Sequence, residues 1–85
     1  MTRIMVVDDE RDLREMINLM LIKEGYETQM AKDGKDFLNK VENFNPDLIT
    51  LDVMMPGLKT KDILKKLQEK NIKSKIILLT VVRFS

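Results

Sequence analysis

Short apolar runs alternate with longer amphipathic segments along this chain. Ile4–Val7, Leu48–Leu51 and Ile76–Thr80 are almost continuously apolar, which is typical of strands with both faces covered. Tyr26–Met30 alternates and is half polar, which indicates an edge strand with one partly wet face. The apolar pattern therefore predicts four strands.

Apolar residues at helical spacing predict three helices between these strands. The first covers Arg11–Glu24 and ends at Gly25, a residue suited to the left-handed conformation of a helix end. The second follows the Asp33-Gly34 turn and ends before Asn45-Pro46. The third begins at Thr60 or Lys61. The apolar residues that define the three helices are Leu13, Met16, Ile17, Met20 and Leu21; Phe37, Leu38 and Val41; and Ile63, Leu64 and Leu67.

The regular alternation of strands and helices predicts the α/β class. Helical crossovers between strands build a parallel sheet, and the crossovers should be right-handed. No linker, internal repeat or low-complexity segment interrupts the pattern, so residues 1–85 are expected to form one domain.

Acidic residues follow two of the apolar runs. Asp8 and Asp9 come directly after Ile4–Val7, the first predicted strand. Asp52 comes directly after Leu48–Leu51, the third predicted strand. The carboxyl ends of parallel strands meet at one edge, and if these two strands are neighbours they lie about 4.8 Å apart. Carboxylates this close repel one another, and Mg²⁺, which binds oxygen ligands, would relieve the repulsion. The sequence therefore predicts a magnesium site.

Asp52 can serve as both a metal ligand and a nucleophile in such a site. A carboxylate can attack phosphorus when a metal shields the incoming phosphate, and the product is an acyl phosphate. Thr80, at the end of the last strand, could donate its hydroxyl to a phosphoryl oxygen, and so could the backbone N–H groups after Asp52. Each of these residues taken alone is more often a helix cap, a turn residue or a strand end.

The composition narrows the chemistry and the partners. The chain contains neither Cys nor His, which excludes thiolate sites and the commonest general base. With 15 basic and 14 acidic residues the net charge is +1, so no overall field attracts nucleic acid. The lysines of the third helix are interpreted as its solvated side, and no nucleic-acid binding by this domain is expected. No segment is typical of a signal peptide or a membrane span, so we expect no membrane partner and a cytoplasmic location.

Three motifs together resemble the response-regulator receiver domain of two-component signalling, the CheY-like family. They are Val6–Glu10, Asp47–Gly57 and Ile76–Thr80. The resemblance implies a flavodoxin-like, doubly wound parallel sheet, for which the strand order is 2-1-3-4-5. Residues 1–85 resemble the N-terminal two-thirds of that domain. We therefore expect an incomplete fold of four strands in the order 2-1-3-4 with three helices, lacking the fifth strand and the last two helices.

The resemblance also implies a role for each site residue. Asp9 and Asp52 would ligate Mg²⁺ directly, Asp8 would act largely through water, and the backbone carbonyl of Met54 would be a further ligand. Asp52 would be the phosphorylation site, and Thr80 the switch hydroxyl. The donor would be a sensor histidine kinase or a small phosphodonor. Such a domain is a regulatory phosphoacceptor that regulates a downstream partner and is not an enzyme in its own right.

The chain departs from the family pattern at several positions. The lysine and the aromatic switch residue of the fifth strand have no counterpart, and Lys75 opens a strand at the opposite edge. Val81 stands where the family usually has Ala or Gly, and Thr60 replaces a usual glycine and could cap the third helix. We therefore expect this chain to be impaired as a switch.

Two other functions are alternatives to the phosphoacceptor interpretation. Ile76–Leu79 is apolar on both faces with no later strand to cover it, so the chain could be a non-phosphorylated interaction fragment that dimerises through this strand. A hydrolase of the haloacid-dehalogenase type also uses an aspartyl phosphate. It needs a second Asp two positions after the nucleophile, where this chain has Met54. The sequence argues against that class.

Overall fold

The computed structural model describes residues 1–79, and every predicted element lies close to its predicted position. Residue 80 and those that follow are outside the described part of the chain. Among residues 1–79, no helix has the length and apolar character needed to cross a membrane. The elements are β1 (Arg3–Val7), α1 (Arg11–Lys23), β2 (Glu27–Ala31), α2 (Gly34–Phe44), β3 (Leu48–Asp52), α3 (Thr60–Glu69) and β4 (Lys75–Leu79).

The four strands form one parallel sheet in the order β2-β1-β3-β4. This arrangement confirms the predicted class, the parallel sheet and the strand order. β1 is central, since Val7 pairs with Ala31 on one side and with Leu51 on the other. β2 has only β1 beside it within the described residues, as expected of an edge strand.

The hydrophobic core lies on the face of the sheet that α2 and α3 cover. Alternate residues of a strand point to one face, so the core residues of β1 and β3 recur at every second position. Ile4 and Val6, which alternate with them, are buried on the opposite face, where α1 packs. The core consists of Met5, Val7, Ala31, Phe37, Val41, Ile49, Leu51, Ile63 and Leu67.

Helix α1 is much less covered than its apolar pattern predicts. None of its residues is fully buried, and Met16 and Met20, two of the apolar residues that define the predicted helix, are 52% and 59% exposed. An apolar stripe at helical spacing normally faces the core, and these two methionines do not. The helix contacts β1 and β2, and the flank that carries Met16 and Met20 has no packing element beside it among residues 1–79.

The two helices on the core face begin in different ways. Asp33 caps α2, because its Oδ1 accepts a hydrogen bond of 2.7 Å from the Asp36 N–H. Thr60 was predicted as a possible cap of α3, and that prediction is wrong. Thr60 is the first helical residue, and Lys59 before it makes no side-chain capping bond. The first turn of α3 is held instead by backbone bonds such as Ile63 N–H to Lys59 O, at 3.0 Å.

Gly34 allows α2 and α3 to approach each other closely. It is buried, and a Cβ atom at this position would lie 3.0 Å from Ile63 Cδ1 and 3.1 Å from Leu58 Cβ. Both distances are shorter than ordinary van der Waals contact. The side chain of Ile63 can turn aside, but Leu58 Cβ moves only with its backbone.

We expect Gly34→Ala to lower the free energy of unfolding by about 1 to 3 kcal/mol, because overpacking forces neighbouring groups apart. Urea denaturation measures the change. The matched control is Lys35→Ala, at the next and exposed position of α2, which should stay within about 0.5 kcal/mol of the wild type. If Gly34→Ala were as stable as the control, the neighbouring atoms would be able to make room for the Cβ atom without cost.

Asp36, in the first turn of α2, is held by two donors. Lys40 Nζ lies 3.0 Å from its Oδ2, and the Lys32 N–H donates to the same oxygen at 3.1 Å. Partial burial raises the pKa of Asp36, but these two bonds and the charges of both lysines outweigh it, so the pKa falls below its ordinary value of 3.8. The stabilisation is present above pH 3.8 and is lost as the pH falls through the lowered pKa.

Lys40→Met should raise the pKa of Asp36, because it removes the side-chain hydrogen bond and one nearby charge. An NMR pH titration of the Asp36 carboxyl carbon measures the shift. Lys35→Met removes an equal charge from the neighbouring surface without removing this bond, and its effect should be smaller. Equal shifts in the two variants would show that the described bond does not set the pKa.

Candidate metal centre

The predicted acidic residues meet where β1 and β3 end. The register pairs Val7 with Leu51 on adjacent parallel strands, so both chains reach the same edge of the sheet at neighbouring positions. Asp52 is the last residue of β3, and Asp8 is the first residue after β1. The adjacency of the first and third strands, on which the predicted site depended, is therefore present.

The three carboxylates converge. One carboxylate oxygen from each of Asp8, Asp9 and Asp52 can be chosen so that all lie within 4.8 Å of one another. Asp8 and Asp52 are each 1% exposed, while Asp9 is partly exposed. At this separation two like charges repel by roughly 3 to 4 kcal/mol at the effective dielectric constant of a protein surface. We call these residues the acidic trio.

The acidic trio suits a hard divalent cation. Three carboxylates supply oxygen ligands, and their negative charge is offset by a doubly charged ion. The oxygens lie near enough together for a single ion to contact more than one of them. The donor set contains no sulfur or imidazole, which favours Mg²⁺ over softer metals.

Backbone N–H groups orient the two buried carboxylates. Asp8 Oδ1 accepts from the Glu10 N–H at 2.9 Å, and Asp52 Oδ1 accepts from the Met54 N–H at 2.9 Å. Both bonds join a residue to the second residue after it, which is the local pattern of an Asx turn. The loops after β1 and β3 therefore hold the carboxylates in place, and burial limits their other rotamers.

Arg14 supports the site and was not predicted from the sequence. Its guanidinium donates to the backbone oxygen of Asp8 at 2.8 Å and so ties the first turn of α1 to the loop after β1. Asp8 also donates its own N–H to Ala31 O at 3.1 Å. The available signal was a basic residue in the first turn of the helix, where the helix dipole does not favour one.

The other predicted site residues have different outcomes. The Met54 N–H takes part in the site, while its side chain is 60% exposed. The predicted use of the Met54 carbonyl as a ligand stays a prediction. Thr80, predicted as the switch hydroxyl, lies outside the described residues, as does Val81. The strand that leads to Thr80 does reach this edge, because the Val53 N–H donates to Leu79 O at 3.1 Å.

Comparison with known proteins identifies the family. The response regulator receiver domain matches residues 4–83 of the chain. The chain belongs to this family. The resemblance drawn from the three motifs is therefore confirmed, and with it a place for this receiver domain in two-component signalling.

Receiver domains of known structure share the fold. Response regulator protein TrrA from Thermotoga maritima, crystallised with Mg²⁺-BeF, is 41% identical, with a TM-score of 0.86 over 96% of this chain and 71% of that one. TrrA in complex with the histidine kinase ThkA is 40% identical, with a TM-score of 0.84 over 99% of this chain and 72% of that one. Both structures support the family assignment.

Among curated proteins, the transcriptional regulatory protein PhoP for alkaline phosphatase synthesis, from Bacillus subtilis, is similar. It is 38% identical over 78 residues, which cover 92% of this chain and 32% of PhoP. The chain thus spans about a third of the length of this relative.

We expect Asp52→Ala to make the amide hydrogen of Met54 exchange about fivefold faster, since the net value of such a hydrogen bond is about 1 kcal/mol. Asp52→Asn should leave exchange nearly unchanged, because its amide oxygen can replace Oδ1 as the acceptor. Hydrogen exchange followed by NMR measures both rates. Equal rates in the two variants would show that this bond does not hold the loop after β3.

Proposed function

We propose that this receiver domain is a Mg²⁺-dependent phosphoryl acceptor in a two-component pathway, with Asp52 as the accepting residue. The observation that carries the proposal is the convergence of the three carboxylates within 4.8 Å, two of them buried. In this proposal Asp9, Asp52 and the backbone carbonyl of Met54 ligate the ion, and Asp8 acts through water. The Mg²⁺-BeF complex of TrrA, at 41% identity, supports the assignment.

In phosphoryl transfer, the main contribution of the protein is to position the reacting groups and to stabilise their charge. An Asp52 carboxylate oxygen attacks phosphorus, the bond from phosphorus to the donor breaks, and an acyl phosphate forms. Mg²⁺ supplies the positive charge that lets an anionic phosphate approach three carboxylates. The Met54 N–H, which donates to Asp52 Oδ1 at 2.9 Å, limits the rotation of the carboxylate. Thr80 is proposed, from the sequence motif, to bind a phosphoryl oxygen.

A sensor histidine kinase is the proposed donor. TrrA, which is 40% identical to this chain, has been crystallised in complex with the histidine kinase ThkA. The domain would accept a phosphoryl group and later lose it, and it would have no other substrate. It would pass the signal to a downstream partner. The cytoplasmic location expected from the sequence stays a prediction.

Mg²⁺ should bind the chain and change the NMR signals of Asp9, Asp52 and Met54, and beryllofluoride should change them further. Asp9→Asn should weaken Mg²⁺ binding by about tenfold or more, since even outer partners of a metal site contribute that much. Asp12→Asn is the matched control, because Asp12 is exposed on α1 and lies outside the acidic trio. No saturable change at millimolar Mg²⁺ would refute the proposal for this chain.

We propose self-association through β4 as a second candidate function. Within the described residues β4 pairs with β3 alone, and Ile77 and Leu78 are 47% and 49% exposed. Neighbouring residues of a strand point to opposite faces, so both faces of β4 are partly bare. An apolar strand with an unpaired edge is a template for pairing, and a second copy of the chain offers a matching edge.

Light scattering of the purified chain should detect a dimer that Ile77→Lys weakens, because edge lysines oppose strand pairing. Leu19→Lys, at a site on α1 with 61% exposure, is the control for loss of exposed apolar surface and should leave the dimer intact. A monomer at every concentration tested would rule out this second function. It would leave the phosphoacceptor proposal untouched.

A further inference from the structure

A small cavity lies alongside the edge strand β2, between residues of α1 and α2. Its volume is about 260 Å³. Three of its ionisable lining residues are cationic and one is acidic, which leaves two positive charges in excess. We call it the cationic cavity. Its lining residues are Arg14, Gln29, Met30, Lys32, Asp36 and Lys40.

The cations are held in place by groups that do not neutralise all of them. Lys40 Nζ donates to Asp36 Oδ2 and to Met30 O, both at 3.0 Å. Arg14 donates to the backbone oxygen of Asp8 at 2.8 Å, a contact that carries no formal negative charge. The side chain of Lys32 is exposed, and in the described contacts Lys32 reaches Asp36 only through its backbone N–H. Asp36 is thus the one carboxylate that lines the cationic cavity.

Donor capacity remains on the wall of the cavity. A lysine ammonium has three N–H donors, and Lys40 uses two of them in the described bonds. A guanidinium has five donors in a planar fork, a geometry that suits the oxygens of phosphate. Arg14 and Lys40 are already fixed by their own hydrogen bonds, so they need little further ordering when an anion binds.

We propose that the cationic cavity binds a phosphate dianion, either inorganic phosphate or a small phosphate monoester, at a site separate from the acidic trio. The charge of the ligand matches the excess of two positive charges on the lining. The volume is near the lower limit of small-molecule pockets, roughly 300 Å³, so the ligand is a small one. Lys40 and Arg14 bind the phosphate oxygens, and Lys32 closes the open side.

The test is a titration of the ¹⁵N-labelled, metal-free chain with inorganic phosphate, with ionic strength held constant by sodium chloride. Saturable shifts of the Lys32, Asp36 and Lys40 amide signals are expected. Lys40→Met and Lys32→Met should each weaken binding by about tenfold, the usual effect of losing one hydrogen bond to a charged group. Because no metal is present, the outcome is independent of Mg²⁺ binding by the acidic trio.

Lys61→Met is the matched control. Lys61 is exposed on α3 and does not line the cavity, yet its substitution removes the same charge from the chain. Phosphate affinity should not change in this variant. Equal losses in Lys61→Met and Lys40→Met, or shifts that never saturate, would overturn the site, since both would indicate a diffuse ionic effect. If Lys40→Met does not fold, the exposed Lys32→Met variant decides the question.

A parallel titration with glycerol phosphate separates the two sources of the ligand. Tighter binding of glycerol phosphate than of inorganic phosphate supports the site and assigns it to phosphate monoesters. The reverse order supports the site and assigns it to the free ion. Saturable binding of neither compound overturns the proposal.

Discussion

The parallel pairing of β1 with β3 is the constraint on which the acidic site depends. It brings together carboxylates that are far apart in the sequence and turns both strand ends toward one edge. The arrangement is electrostatically unfavourable, because buried like charges repel. Burial of the apolar residues of the same strands, such as Met5, Ile49 and Leu51, holds the strands together despite that repulsion. The hydrophobic packing of the sheet therefore offsets the cost of bringing the carboxylates together.

Most of the architecture follows from local pattern. Each apolar run had the length of a strand, each amphipathic segment had helical spacing, and Asp8 and Asp52 followed apolar runs directly. Because these signals lie within a few residues of one another, the sequence was enough to predict the elements. The convergence of the acidic trio also needed β1 and β3 to be neighbours, and that strand order was implied by the family resemblance. The predicted third strand, Leu48–Leu51, differs from β3 only in that β3 also includes Asp52.

The features that could not be predicted all depend on packing between distant parts of the chain. Nothing local distinguishes Met16 and Met20, exposed on α1, from apolar residues of the same helix that lie closer to the sheet. In the sequence, Arg14 and Lys40 resemble ordinary surface cations. Only the fold places Arg14 beside the loop after β1 and Lys40 beside the end of β2. A helical pattern indicates which residues share a face, but it does not indicate which neighbouring element covers that face.

The close contact at Gly34 joins the segment after β3 to helix α2. Leu58, which takes part in that contact, belongs to the segment that joins Asp52 to α3. Close-packed groups transmit displacement because there is no empty space to absorb it. A displacement of Leu58 would therefore displace the first turn of α2.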